Sequence, residues 1–154
     1  MKKYKIIIAF LSLTCSTNIY AQQLKDTMSL LMQNEWTVTY NIGKNDSIIS
    51  ISSYTRTDYI EKSNNQESKI EIYSKYYLSN KPEPIFDYDK VGKVFNGNYI
   101  IIGGREGVTD RVTIREIIKI SDTELEYILI NSADQTRSSE DKQKFTFREK
   151  PNKK

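Results

Sequence analysis

The sequence predicts an all-β domain: an antiparallel up-and-down meander of roughly eight to ten strands that closes into a small barrel behind a short N-terminal helix. Three observations predict it. Beyond residue 21 the chain carries seventeen Ile, five Val and ten Thr, with nine Tyr, four Phe and one Trp, against six Leu and a single Ala. β-branched and aromatic side chains suit a pleated surface, and the best helix formers are scarce. Segment after segment then alternates apolar and polar positions, as a strand with one dry and one wet face does. Finally, no segment is long enough to be a crossover helix, so neighbouring strands must be joined as antiparallel hairpins.

The first twenty-one residues stand apart. Lys2, Lys3 and Lys5 precede an apolar run at 6–13 (IIIAFLSL), and the polar stretch 14–21 ends in Ala21. This is the three-part pattern of a secretory signal peptide, with cleavage expected after Ala21. The apolar run is far shorter than the ~20 residues that cross a bilayer. Cys15 suggests lipoprotein anchoring less well, because Ser12 and Thr14 occupy the positions where a lipobox wants Leu and a small residue. The reading is an exported bacterial protein, periplasmic or in the outer envelope. Its domains are a signal peptide at 1–21, one β-barrel domain at 22–150 and a disordered tail at 151–154.

Removing three leader lysines turns 23 basic against 20 acidic residues into 20 against 20. A near-neutral mature chain gives no electrostatic ground for nucleic acid as a partner. With no His, and with Cys15 as the sole cysteine, the mature chain lacks imidazole bases, thiolate nucleophiles, His/Cys metal sites and disulfides. No enzymatic activity, cofactor or metal is expected, and no stable membrane insertion.

The elements follow in order. Asp26 can cap a helix whose Leu24, Met28, Leu31 and Met32 share a face. At 35–42 (EWTVTYNI), Trp36, Val38, Tyr40 and Ile42 alternate with polar residues. Strands are expected at 47–55 and 57–62, then at 69–79, where Ile70, Ile72, Ser74, Tyr76 and Leu78 fall on one side. Pro82 and Pro84 end it. A hairpin is expected from 91–95 to 98–102 about Asn96-Gly97, the strongest local hairpin signal in the chain. A reversal at 103–107 leads to a strand at 108–120, whose apolar phase slips from Val112 and Ile114 to Ile118 and Ile120, as a bulge near Glu116 would explain. A strand at 125–130, a polar loop at 132–142 and a last strand at 143–149 complete the meander.

These features resemble the lipocalin-like (calycin-type) group of bacterial envelope proteins. The residues that carry the likeness are 30–40 (LLMQNEWTVTY), 76–79 (YYLS), 92–102 (GKVFNGNYIII) and 117–125 (IIKISDTEL). The Gly-x-Trp motif of that group is half present, with Asn34 in the glycine's place. The resemblance implies a small closed barrel with a possible ligand cavity, and a basic residue from the last strand over the Trp, for which Arg148 is the positional match. Its parity is opposite to that of Phe145 and Phe147, which on a regular strand points it outward.

Trp36 is read as a structural plug at the barrel end. Tyr40, Tyr76 and Tyr99 are the candidates for lining a cavity; packed core tyrosines are the plainer reading of the same positions. The segment 87–92 fails as a calcium loop at Val91 and Asn98, and 103–107 lacks the Lys-Ser/Thr of a phosphate loop. Two functions are expected from the whole. One is an exported lipocalin-like protein that binds a small apolar or amphipathic molecule in its barrel. The other is a periplasmic interaction protein, an immunity or envelope-assembly partner, with a filled barrel and loop-mediated recognition of a protein.

Overall fold

The computed structural model describes residues 25–42, 46–64, 69–104, 111–130 and 137–148, with the side chains of 39–42, 46–49, 64, 137–145 and 147–148 outside that description. The leader, Cys15, Leu24 and the tail lie outside the described residues. A helix α1 (Thr27–Met32) precedes eight strands: β1 (Glu35–Ile42), β2 (Asp46–Tyr54), β3 (Asp58–Asn64), β4 (Lys69–Ser79), β5 (Tyr99–Gly103), β6 (Thr113–Ile120), β7 (Glu124–Ile130) and β8 (Arg137–Arg148). Each strand pairs antiparallel with the next, and β1 pairs with β8, so the meander closes into a barrel.

The inner face carries one apolar cluster, built on Met28, Leu31, Trp36, Tyr54, Tyr59, Tyr76, Leu78, Ile100, Ile102, Leu125 and Tyr127. It is concentrated at the end where α1 lies. The Asp26 side chain accepts the Ser29 N–H (2.7 Å) and caps the helix, whose buried residues are Met28 and Leu31. Trp36 is fully buried, and its indole N–H donates to the Leu31 carbonyl at 3.1 Å. Asn34 closes the same end: its side-chain amide donates to the Asp122 carbonyl (2.7 Å) in the β6–β7 turn. The residue that replaces the expected glycine therefore ties the entry of β1 to the opposite wall.

The structure corrects three local expectations. Residues 91–98 form no hairpin strand. A single 3₁₀ turn (Tyr88–Lys90) is followed by irregular chain that crosses the closed end. There the Phe95 carbonyl accepts the Met28 N–H (2.9 Å) and Asn96 Oδ1 accepts the Thr27 N–H (3.1 Å), seating the first turn of α1. The last strand starts at Arg137, inside the stretch expected to be loop. The bulge in β6 falls at Ile118, two residues beyond Glu116: the register steps from Ile117↔Tyr127 to Lys119↔Glu126. The extra residue lets Ile117 and Ile120, which differ in parity, both pack against the inner cluster.

A second apolar layer lies on the outside. Tyr77, Ile101, Ile114, Ile128 and Ile130 form a separate cluster, covered by Phe86, Val91, Tyr99 and Val112. The connection from β4 to β5 thus folds back over the wall as a strap. Glu83 fixes it, accepting from Lys90 Nζ (2.6 Å), Ser79 Oγ (2.8 Å) and the Tyr77 hydroxyl (2.9 Å). On this part of the barrel the outer face is dry, which is why YYLS, YIIIG and YILI read as continuous apolar runs rather than alternations.

Candidate functional site

The inner face is not apolar throughout. Ser50, Ser52 and Ser74 are buried on it, together with Arg115, which is 7% exposed. Placing a guanidinium inside a barrel is costly unless its donors are satisfied. Arg115 donates from Nη2 to the Tyr59 hydroxyl (2.9 Å) and, more weakly, from Nη1 to the Tyr54 hydroxyl (3.4 Å). Its charge lies over the rings of Tyr127 (4.5 Å) and Tyr59 (4.8 Å), where the negative π face favours a cation. The Tyr59 hydroxyl passes the polarisation on, donating to Glu61 Oε2 at 2.5 Å, and Ser50 Oγ donates to Glu61 Oε1 at 3.2 Å. Such a chain strengthens each of its bonds.

Burial opposes the charge of Arg115, but the facing Tyr59, Tyr127 and Tyr54 together with Glu61 outweigh it, and its pKa lies above the ordinary arginine value. Burial also pushes the Tyr59 and Tyr54 phenols up, against the pull of Arg115, so both remain neutral donors at physiological pH. The network therefore holds one fixed cation, Arg115, and one carboxylate, Glu61. Arg115 forms no ion pair among the described residues, and its Nε–H has no hydrogen-bond partner there.

Beside this network lies a cavity of about 240 Å³, lined by Tyr59, Glu61, Ile72, Ser74, Ile102, Gly103, Arg111, Thr113 and Arg115. The lining comes from the first half of β3 (Tyr59, Glu61), the middle of β4 (Ile72, Ser74), the end of β5 and the start of β6, and two of its members, Tyr59 and Ile102, also belong to the inner apolar cluster. Alternation places Glu61 beyond Tyr59, Ser74 beyond Ile72 and Arg115 beyond Thr113 on the same inward face. Two arginines face one glutamate across a lining that also offers Ile72 and Ile102, so the site presents apolar walls, hydroxyls and an excess of positive charge. Among the described residues no group of three or more His, Cys, Asp or Glu could hold a metal ion.

The sequence candidates fall elsewhere. Tyr76 is fully buried in the inner cluster, edge-on to Tyr54 at 5.3 Å, with its hydroxyl on Met28 Sδ (2.8 Å); it fills the closed end and does not line the cavity. Tyr99 lies on the outer face and packs against the second cluster, so it points away from the interior. The parity of β5 explains this: Ile100 and Ile102 take the inner positions. The side chains of Tyr40 and Arg148 lie outside the described residues, although their backbones pair with Ile48 and Glu35. Trp36 is buried in the inner cluster, its indole bonded to the Leu31 carbonyl of α1, and it does not line the cavity. Sequence reasoning missed Tyr59, Glu61 and Arg115. Their signal was a tyrosine and a glutamate at the same parity on β3, and an arginine in phase with Ile117 on β6.

No helix among the described residues is long and apolar enough to cross a membrane. No family model matches the chain, and it has no match among curated proteins or among solved structures.

Proposed function

We propose that this protein is an exported binder of a small, partly apolar molecule, held in the cavity at the mouth of the barrel. The leader pattern at 1–21 supports export, and with it a periplasmic or outer-envelope location. The observation that carries the binding reading is the half-polar cavity around Arg115: apolar walls from Ile72 and Ile102, with Ser74, Thr113, Glu61 and Arg115 as polar groups that fix orientation. The closed end is packed with side chains, so the cavity occupies only the part of the interior that the core leaves open.

Native mass spectrometry of the mature chain purified from its host tests this reading. The expected result is a fraction carrying a small bound mass that Ser74→Phe, which fills the cavity from its wall, abolishes. Bare protein in both forms would count against it. A second reading, a protein partner recognised by the strap, is favoured by one observation: Ile85 and Tyr88 stand 80% and 64% exposed there.

A further inference from the structure

We propose that the ligand is a compact organic anion, a small carboxylic acid whose carboxylate is received by Arg115; the proposal rests on the cavity being a binding site. The argument begins with the acceptors that Arg115 has. Both of its hydrogen bonds go to neutral hydroxyls, Tyr54 and Tyr59, and Nε–H has none among the described residues. A buried guanidinium ordinarily meets a carboxylate in a forked geometry. The nearest internal carboxylate, Glu61, is turned elsewhere: its two oxygens accept the Tyr59 and Ser50 hydroxyls. The positive charge of Arg115 is therefore solvated by phenols and π faces, reaches Glu61 only through the Tyr59 hydroxyl, and makes no direct ion pair among the described residues.

The lining adds Arg111 at the rim, so two cations face one anion. A single negative charge balances the site, and a second would be repelled by Glu61. Size narrows the class further. A cavity of about 240 Å³ lies below the roughly 300–1,000 Å³ of sites for drug-sized ligands. A site below that range suits a molecule smaller than a drug-sized ligand. Ile72 and Ile102 supply an apolar wall for the body of such a molecule. Toward α1 a long alkyl chain has no room, because Tyr54, Tyr76, Tyr127 and Trp36 fill the interior there.

Isothermal titration of the mature chain with phenylacetate against phenylacetamide, and with hexanoate against dodecanoate, tests the class. The expected result is that phenylacetate binds about tenfold to a hundredfold more tightly than the amide, as one charge-assisted hydrogen bond would give, and that hexanoate outbinds dodecanoate. Arg115→Met is expected to erase the acid–amide difference, while the exposed Lys62→Gln leaves it intact. Should Arg115→Met fail to fold, ¹⁵N-labelled wild-type protein reads the contact directly: the Arg115 Nε–H resonance moves on adding phenylacetate and stays put with the amide. Equal binding of acid and amide, or an unmoved resonance, overturns the anion proposal and leaves the binding reading standing. Failure of every probe to bind, with bare protein by mass spectrometry, overturns both.

Discussion

Glu83 illustrates how a single side chain ties two layers together. It is 13% exposed and accepts from Lys90, Ser79 and Tyr77, so it holds the strap to the outer wall. Burial alone would raise its pKa, but the hydrogen bonds from Lys90, Ser79 and Tyr77 outweigh burial and hold it below the ordinary glutamate value. A carboxyl whose folded pKa is depressed contributes stability that is complete above its unfolded pKa, about 4.3, and is lost as pH falls through the lower folded value. Glu83→Gln is therefore expected to cost about 1–2 kcal/mol at neutral pH. In urea denaturation the gap from wild type should stay constant from roughly pH 8 to 5 and close below about 4.3. Asp58, lowered by its bonds to Lys75 and Thr57, titrates in the same direction but is common to both proteins and cancels in the difference. A gap that persists into acid would show that shape, not charge, makes Glu83 important.

At the scale of elements, the segment 94–98 shows a glycine used for something other than a turn. A Cβ on Gly97 would sit 2.6 Å from the Ser79 carbonyl oxygen and 2.8 Å from its nitrogen, both rigid backbone at the end of β4. Gly97 is there so that chain can press on chain. Gly97→Ala is expected to push the segment off β4 and to destabilise the fold by about 1–3 kcal/mol. Because Phe95 and Asn96 hold the first turn of α1, the shift should reach Trp36, visible as a red-shifted indole emission in the native state. A variant with unchanged stability and emission would show the contact to be slack. Asn-Gly reads as a hairpin in sequence because that signal is local, whereas close approach is a tertiary fact. The same division runs through the rest of the chain. β1 and β4 were legible to the residue, since each alternates apolar and polar positions along most of its length. The cap at Asp26 was legible from spacing, whereas the bulge in β6 was not: Val112, Ile114, Ile118 and Ile120 share one parity, and the slip lies between Ile117 and Ile120, the pair that packs inward. The outer layer was not, because a strand dry on both faces has no alternation to read. Site residues were lost for the same reason: in β6 Ile114 packs outward and Ile117 inward, so apolar parity alone could not tell that Arg115 shares the inner face.

The molecule as a whole is a barrel closed unevenly. β1 and β2 pair over eight residues, from Glu35↔Ser53 to Ile42↔Asp46, whereas β1 and β8 pair over three, Glu35↔Arg148 to Thr37↔Thr146. Those three sit at the Trp36 end, where α1, the 94–98 crossing and the Asn34–Asp122 bond converge. Past Thr37 the ladder between β1 and β8 stops, and each strand continues bonded on its other side alone. Unpaired strand edges exchange amide protons readily, while bonds inside a packed sheet open only with wider unfolding. Half of the amides from 38 to 42 point along β1 toward β8, by the alternation of an antiparallel ladder. These are expected to exchange orders of magnitude faster than the β5, β6 and β7 amides in native-state hydrogen exchange, while their alternate neighbours, bonded to β2, stay protected. One end of the molecule is thus a locked base, while the β1–β8 seam beyond it can yield; the cavity is lined by β3 to β6, strands that do not border that seam. Uniform protection along β1 would mean a fully sealed cylinder, with the ladder between β1 and β8 continuing past Thr37 in solution.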